Sequence, residues 1–327
     1  MVAASLDVTA TTAKAKVLGD GFAPGKVILL GEHAVVYGHP AVAAGLTRGV
    51  RMRLVEDPEG PRLWAHSWGV ALPLTDAPGG TPLGLALERV RQAVAPQLRA
   101  FCLEASDELP LGAGLGSSAA LTAAAARALA HATGVTLSAE RLTQVIQQAE
   151  QVFHGNPSGV DQATVVRGGL LRFQRPPGGT PNVEAIVPAR PVPLVVALLR
   201  PHVGTKEAVE ALRQRRERHR RSFDVMLGEL GALAQDAVGD IQQGNLVALG
   251  ERFDLAHALL AGLGVSSEDL EFLTHFGRRH GALGAKLTGA GVGGAVVMVT
   301  DGDPQRSKAL VDALVGEGAQ AFSCAVG

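Results

Sequence analysis

The chain has 327 residues, and 30 lysines and arginines against 31 aspartates and glutamates give a formal net charge of −1. Apolar residues make up 46% and charged residues 19%, which excludes a disordered chain and predicts a globular protein of about two domains. The neutral charge and the 4% of aromatic residues argue against nucleic acid or a membrane surface as a partner.

The targeting and redox signals predict a cytoplasmic protein. The first 13 residues lack the basic start and compact apolar core of a signal peptide. The longest purely apolar run, residues 194–199, is far too short to cross a bilayer. Two cysteines, Cys102 and Cys324, cannot form a disulfide framework, so we expect a reducing compartment and two buried, unreactive thiols.

The first half of the sequence predicts short strands followed by helices. Apolar stretches are interrupted by Gly and Pro, and apolar residues then recur at helical spacing. The predicted strands are residues 16–23, 26–30, 49–56 and 100–105. The predicted helices are residues 83–98, an alanine-rich helix ending near His131 with Gly134 as its C-terminal cap, a helix capped by Ser138 that runs to about Phe153, and a helix that opens at Asn156-Pro157 and ends near Gly168-Gly169.

A Pro- and Gly-rich segment at residues 175–193 predicts a domain boundary, with one domain at 1–187 and a second at 188–327. The second domain predicts the order strand, helices, strand, strand, helix, strand, which resembles a ferredoxin-like half. Its predicted elements are strands at 192–199, 282–287, 295–300 and 319–325, a long helical region at 206–279 and a helix at 304–315.

A glycine-rich segment at a predicted strand-to-helix junction is the strongest local signal for a ligand. Its glycines allow main-chain N–H groups to point inward, and the following helix adds unpaired N–H donors, so the segment is typical of a phosphate site. A tight turn with a serine cap is the alternative. No Gly-Lys-Ser/Thr closes it as in a Walker A loop, and no clear βαβ repeat supports a dinucleotide-binding Rossmann site. Its residues are Gly112, Ala113, Gly114, Leu115, Gly116, Ser117 and Ser118.

Four charged residues and one histidine are further candidates, although each alone is compatible with a structural role. Lys26 lies in an otherwise apolar segment, and Glu32 and His33 follow soon after it. Glu150 is expected in the last turn of one helix and Asp161 about one turn into the next, so adjacent helix ends could direct both carboxylates to one place. One could hold Mg²⁺ while the other accepts a proton.

A run of basic residues at 213–221 invites a nucleic-acid interpretation. A solvated helix face is the alternative, and we favour it because the chain as a whole is neutral.

Three segments together resemble the signature motifs of the GHMP small-molecule kinases. They are Pro24-Gly-Lys-Val-Ile-Leu-Leu-Gly-Glu-His-Ala-Val-Val-Tyr-Gly38, residues 110–120, and Lys286-Leu-Thr-Gly-Ala-Gly-Val-Gly-Gly294. The first is close to the form found in members that phosphorylate mevalonate, and His154-Gly-Asn-Pro-Ser-Gly-Val-Asp161 strengthens the resemblance. Val292 departs from the pattern, because the family usually has glycine there.

The resemblance implies an α+β, two-domain fold, with an N-terminal half like the second domain of ribosomal protein S5 and a ferredoxin-like C-terminal half. It implies ATP- and Mg²⁺-dependent phosphorylation of (R)-mevalonate at its 5-hydroxyl, giving 5-phosphomevalonate for isoprenoid biosynthesis. A homodimer is a further expectation, and ATP and mevalonate are the expected ligands.

The resemblance also implies a role for each matching residue. Asp161 is expected to be the catalytic carboxylate, with Lys26 as its charge partner. Mg²⁺ would be held by Ser118 and Glu150, and Thr205 would bond near the transferred phosphate. The expected substrate-binding residues are Lys26, Glu32, His33, Asp161 and Arg172.

Two alternatives stay open at this point. One is a sister GHMP kinase for phosphomevalonate, homoserine or a sugar, against which the Gly-Glu-His segment argues. The other is a non-catalytic sensor that binds ATP or an isoprenoid, against which the presence of Lys26, Glu150 and Asp161 argues.

Overall fold

The computed structural model describes residues 15–107, 109, 114–152, 159–199 and 205–327, and these ranges contain both helices and strands. The strands are β1 (Val17–Leu30), β2 (Ala41–Glu56), β3 (Arg62–Ala65), β4 (Val70–Pro73), β5 (Phe101–Asp107), β6 (Leu170–Gln174), β7 (Asn182–Ile186), β8 (Val192–Leu198), β9 (Gly284–Thr288), β10 (Ala295–Val299) and β11 (Gln320–Val326). The helices are α1 (Pro82–Val94), α2 (Ser117–Thr133), α3 (Ala139–Glu150), α4 (Val160–Arg167), α5 (Thr205–Arg218), α6 (Arg220–Gln243), α7 (Leu246–Gly262), α8 (Glu268–Arg279) and α9 (Pro304–Gly316).

These residues form two compact units that interleave along the chain. The first comprises the described parts of residues 1–23, 50–107 and 118–157, and the second those of residues 24–49, 108–117 and 158–327. The boundary between 1–187 and 188–327 stays a prediction.

The first unit combines strands in the order β4-β3-β5-β2 with the alanine-rich helix α2. Only the second half of β2 takes part, with Val50 opposite Asp107 in an antiparallel ladder. The small alanine side chains of α2 allow the helix to lie close against β1. A Cβ on Gly21 would lie 2.6 Å from the main-chain nitrogen of Ala128, so only glycine on the strand permits this approach.

The second unit contains the antiparallel sheet β11-β8-β10-β9. In chain order these strands are the fourth, first, third and second, which is the ferredoxin-like arrangement that the sequence predicts. All five residues of β9 and of β10 are buried, and Ala295 of β10 pairs with Leu198 on one side and Thr288 on the other. The first half of β2 pairs with β6, and β6 with β7.

Helix ends follow the predicted local signals where those signals are strong. Ser138 caps α3 by accepting a hydrogen bond from the N–H of Arg141 at 3.1 Å, and Gly134 follows α2 with a φ of 69°. Helix α1 ends at Val94, four residues before the predicted end. Pro96 explains this difference, because the residue before a proline is driven out of the helical conformation.

The strands predicted from the sequence differ from the observed ones: two predicted strands form one continuous strand, another begins earlier, and several observed strands were not predicted. β1 is continuous through Pro24 and Gly25, and β2 begins eight residues before its predicted start. The predicted long helical region is four helices, interrupted by caps such as Gly244 and Ser267. Strands β3, β4, β6 and β7 were not predicted from the sequence. The Asn156-Pro157 helix start lies outside the described residues, and α4 begins after Gly159.

Cys102 is buried as expected, whereas Cys324 is only half-buried, and both thiols are protonated at neutral pH. Burial raises the pKa of Cys102 and of Cys324 to about 12 in each case. Among the helices in the described residues, none combines the length and apolarity needed to cross a bilayer.

Candidate functional site

The described part of the glycine-rich loop curls as the sequence predicts. Gly114 and Gly116 have φ values of 71° and 73°, which favour glycine, and α2 begins directly afterwards at Ser117. Gly112 and Ala113 lie outside the described residues. A Cβ on Gly116 would lie 2.7 Å from Cγ of Lys26, so only glycine at this position leaves room for the lysine side chain.

Lys26 connects this loop to the predicted catalytic carboxylate. Its main-chain N–H donates to the carbonyl oxygen of Leu115 at 2.9 Å, and its Nζ lies 3.0 Å from Oδ1 of Asp161. The lysine side chain is 4% exposed and the aspartate 39%, so the cation is enclosed while the carboxylate faces solvent. Asp161 lies in the first turn of α4, where the helix dipole favours a negative charge.

Ser118 and Glu150, the predicted metal ligands, are also brought together within the first unit. The Ser118 hydroxyl donates to Oε2 of Glu150 at 3.2 Å, and the glutamate is buried. A hydroxyl and a carboxylate form a hard, all-oxygen donor pair, which suits Mg²⁺. In the described part of the chain, no cluster of three or more His, Cys, Asp or Glu residues could hold a metal by itself. The pair therefore fits a Mg²⁺ ion that takes its other ligands from phosphates and water.

Glu32 and His33 are both buried against the third signature motif. Nζ of Lys286 donates to Oε1 of Glu32, and both side chains are completely enclosed. Nε2 of His33 lies 3.1 Å from the carbonyl oxygen of Ala290. Burial lowers the pKa of His33 to about 4, so the ring is neutral at pH 7 and its Nε2–H donates to that carbonyl.

Burial also governs the Glu32–Lys286 pair. Desolvation raises the pKa of Glu32 and lowers that of Lys286, while their mutual attraction opposes both shifts. No role for Lys286 was predicted from the sequence. A signal was present, because this lysine lies in the middle of an otherwise apolar strand.

For two other predicted site residues, Arg172 and Thr205, the described part of the structure shows no contact with the groups above. Arg172 on β6 donates to Gln235 at 2.8 Å and to Gln174 at 2.9 Å, and it lies 3.5 Å from Glu184. Thr205 begins α5, but its side chain lies outside the described part of the structure. The substrate and phosphate roles of these two residues stay predictions.

The structure shows a local effect of valine in the third motif. Val292 has a φ of 54°, and its N–H donates to the carbonyl oxygen of Val265 at 2.7 Å. A β-branched residue at positive φ is strained, so the missing glycine has a conformational cost.

Comparison with known proteins finds both domains of one kinase family in this chain. Residues 83–169 match the GHMP kinases N terminal domain, and residues 237–318 match the GHMP kinases C terminal domain. The mevalonate kinase of Aeropyrum pernix is 33% identical over 93% of this chain and 94% of its own. That of Pyrococcus horikoshii is 32% identical over 86% of this chain and 88% of its own.

Solved structures show the same relationship. The crystal structure of L. major mevalonate kinase in complex with R-mevalonate has a TM-score of 0.82 and 26% identity, covering 96% of this chain and 99% of that one. The mevalonate kinase from methicillin-resistant Staphylococcus aureus is 28% identical with a TM-score of 0.69, covering 93% and 97%. A Lactococcus lactis galactokinase at 19% identity shares the fold, with a TM-score of 0.73.

Proposed function

The chain belongs to the mevalonate kinases of the GHMP kinase family, and from this premise we propose which of its residues carry out the reaction. The enzyme transfers the γ-phosphoryl group of ATP to the 5-hydroxyl of mevalonate and forms 5-phosphomevalonate. The fold is the two-domain α+β fold of the family. The observation that carries the residue assignment is the 3.0 Å pair of Lys26 with Asp161, which the main chain of Lys26 ties to the glycine-rich loop.

The phosphate groups of ATP bind to the glycine-rich loop and to the first turn of α2. Gly114 and Gly116 curl the main chain there, and the helix start offers N–H donors and the positive end of its dipole. Phosphoryl transfer depends mainly on positioning and on neutralising charge. The residues of the loop meet both needs without a reactive side chain.

Asp161 accepts the proton of the 5-hydroxyl as the oxygen attacks the γ-phosphorus. The bond from the γ-phosphorus to the bridging oxygen breaks, and ADP leaves with that oxygen. Lys26 holds Asp161 in place through their 3.0 Å ion pair and stabilises the negative charge that builds up on the attacking oxygen. The exposed position of the carboxylate allows a substrate to reach it, while the enclosed lysine holds its place.

Ser118 and Glu150 are the residues that would hold Mg²⁺. When bound, the ion supplies charge neutralisation for the β- and γ-phosphates. Glu32 and His33 line the mevalonate side of the site, Thr205 contacts the transferred phosphate, and Arg172 binds the substrate carboxylate.

A coupled assay of ADP release tests the activity itself. Purified protein is supplied with ATP, Mg²⁺ and one of four alcohols: mevalonate, phosphomevalonate, homoserine or galactose. Mevalonate should give turnover well above the other three. Turnover with another alcohol alone would favour a sister kinase, and ATP binding without turnover on any alcohol would favour a sensor.

Titrating Mg²⁺ in the same assay tests the metal ligands. Ser118→Ala removes the hydroxyl and should raise the Mg²⁺ concentration for half-maximal rate about tenfold or more, while Ser118→Thr keeps the oxygen and should stay near the parent. An unchanged Mg²⁺ requirement in Ser118→Ala would remove this residue from the metal site.

A further inference from the structure

The third signature motif contacts the first motif through alternate residues. Lys286, Thr288 and Ala290 each form a hydrogen bond with a residue between 28 and 33. Lys286 and Thr288 alternate along the extended strand β9 and therefore point to the same side of it, whereas Ala290 lies in the turn beyond the strand and accepts through its main-chain carbonyl. This segment begins two residues after Lys26 and contains Glu32 and His33.

The Thr288 hydroxyl acts as both acceptor and donor toward the main chain of Ile28. Its Oγ1 accepts from the N–H of Ile28 at 3.0 Å and donates to the carbonyl oxygen of Ile28 at 2.9 Å. A neighbouring strand would normally provide these two bonds, and here one buried side chain provides them. Ile28 is two residues from Lys26 on β1, so fixing its main chain fixes the direction in which the lysine leaves the strand.

Lys286 acts on the other end of the segment. Its ammonium bonds Oε1 of Glu32 and the carbonyl oxygen of Leu287, the latter at 2.7 Å. Glu32 Oε2 is buried and has no hydrogen-bond partner in the described structure. A buried carboxylate with one oxygen unpartnered is costly, so Glu32 depends on the Lys286 ammonium to hold it in this position.

We infer that Thr288 and Lys286 are positioning residues for phosphoryl transfer, Thr288 by setting the placement of Lys26 and Lys286 by holding Glu32, and with it the neighbouring His33, in place on the mevalonate side of the site. This inference rests on the proposed function. It separates two effects, because Lys26 belongs to the chemical step and Glu32 to substrate binding. Loss of the Thr288 hydroxyl therefore lowers kcat, and loss of the Lys286 ammonium raises KM for mevalonate.

A matched pair of variants tests the first half. Thr288→Val keeps the shape of the side chain but removes the hydroxyl, and Thr288→Ser keeps the hydroxyl. We expect Thr288→Val to lower kcat about 10- to 100-fold with an unchanged Kd for ATP, since small misplacements of catalytic groups have effects of this size. Thr288→Ser should recover most of the loss. Equal losses in both variants, or an unchanged kcat in folded Thr288→Val, would overturn the role of Thr288.

Lys286→Met and Lys286→Arg test the second half, with Lys308→Met as a control at an exposed lysine paired with Asp312. Folded Lys286→Met should raise KM for mevalonate about tenfold or more while KM for ATP stays the same, and Lys286→Arg should lie between it and the parent. If Lys286→Met does not fold, Lys286→Arg alone must still show a selective rise in KM for mevalonate. An unchanged KM for mevalonate would overturn the role of Lys286. Absence of turnover in the parent protein itself would instead refute the proposed function.

Discussion

Two lysine–carboxylate pairs in the second unit have the same chemistry but different surroundings. Lys26–Asp161 leaves its carboxylate 39% exposed, whereas Lys286–Glu32 is 0% exposed on both sides. An open carboxylate can exchange its partner for a substrate and release it again. We call Lys26–Asp161 the open pair and Lys286–Glu32 the closed pair. The closed pair cannot be separated without leaving a buried charge, so it fixes the geometry of the chain around it. Burial, and not the residue types, therefore distinguishes the pair that we propose to react from the pair that we propose to support it.

The most direct test of the open pair is Asp161→Asn, which removes the proposed proton acceptor and keeps the shape of the side chain. We expect kcat to fall about 10²- to 10⁴-fold, the usual size of a general-base contribution, with ATP still bound. ADP release and ATP titration measure the two quantities. Asp312→Asn, at an exposed ion pair, is the control and should retain the parent rate. A parent-like kcat in Asp161→Asn would show that the open pair is only structural.

Breaking the closed pair should act on stability. Lys286→Met leaves Glu32 as a buried carboxyl without its cation, and such losses cost about 3–5 kcal/mol in the free energy of unfolding. Urea unfolding of the parent, Lys286→Met and the double variant Lys286→Met/Glu32→Gln measures this. The double variant should recover much of the loss because it leaves no lone charge. Equal instability of the single and double variants would contradict the charge-based explanation.

His33, the neighbour of the closed pair, should make stability depend on pH. Its folded pKa of about 4 lies below the ordinary value of 6.5, so the folded protein binds fewer protons than the unfolded chain between these values. The stabilising contribution is complete above pH 6.5 and is lost as pH falls toward 4. At pH 5 about 2 kcal/mol should be lost relative to pH 7.5.

The control for this effect is His33→Asn, since asparagine tolerates positive φ and His33 has a φ of 59°. Urea unfolding at both pH values should show a smaller drop in the variant, by about that amount. Equal drops in the two proteins would show that other groups cause the pH dependence.

The smallest expected effect is at Val292, at the far end of the motif that holds the closed pair. Val292→Gly relieves a strained φ of 54° but adds freedom to the unfolded chain. We expect a net gain of up to about 1 kcal/mol in stability. Thermal or urea unfolding measures it, and a loss of stability would show that the valine side chain packs usefully despite its strain.

Local signals in the sequence were sufficient where one residue determines the conformation. Gly134 ends α2 and Ser138 begins α3, because a positive φ and a capping oxygen act within one helical turn. The ferredoxin-like succession of β8, β9, β10 and β11 along the chain also followed from the sequence, most clearly at β8 and β10, which are continuous apolar runs. Strand β7 was missed because its polar residues lie within the Pro- and Gly-rich segment interpreted as a boundary, and strand β6 was missed as well.

The sequence by itself determined the motifs and the turn of the glycine-rich loop, because these depend on residue type and short spacing. Only the tertiary structure decided that Lys286 pairs with Glu32 across 254 positions and Thr288 with Ile28 across 260. Such partners are selected by which strand edges meet in the folded chain. Burial, which separates the open pair from the closed pair, is likewise set by all the elements packed around each side chain.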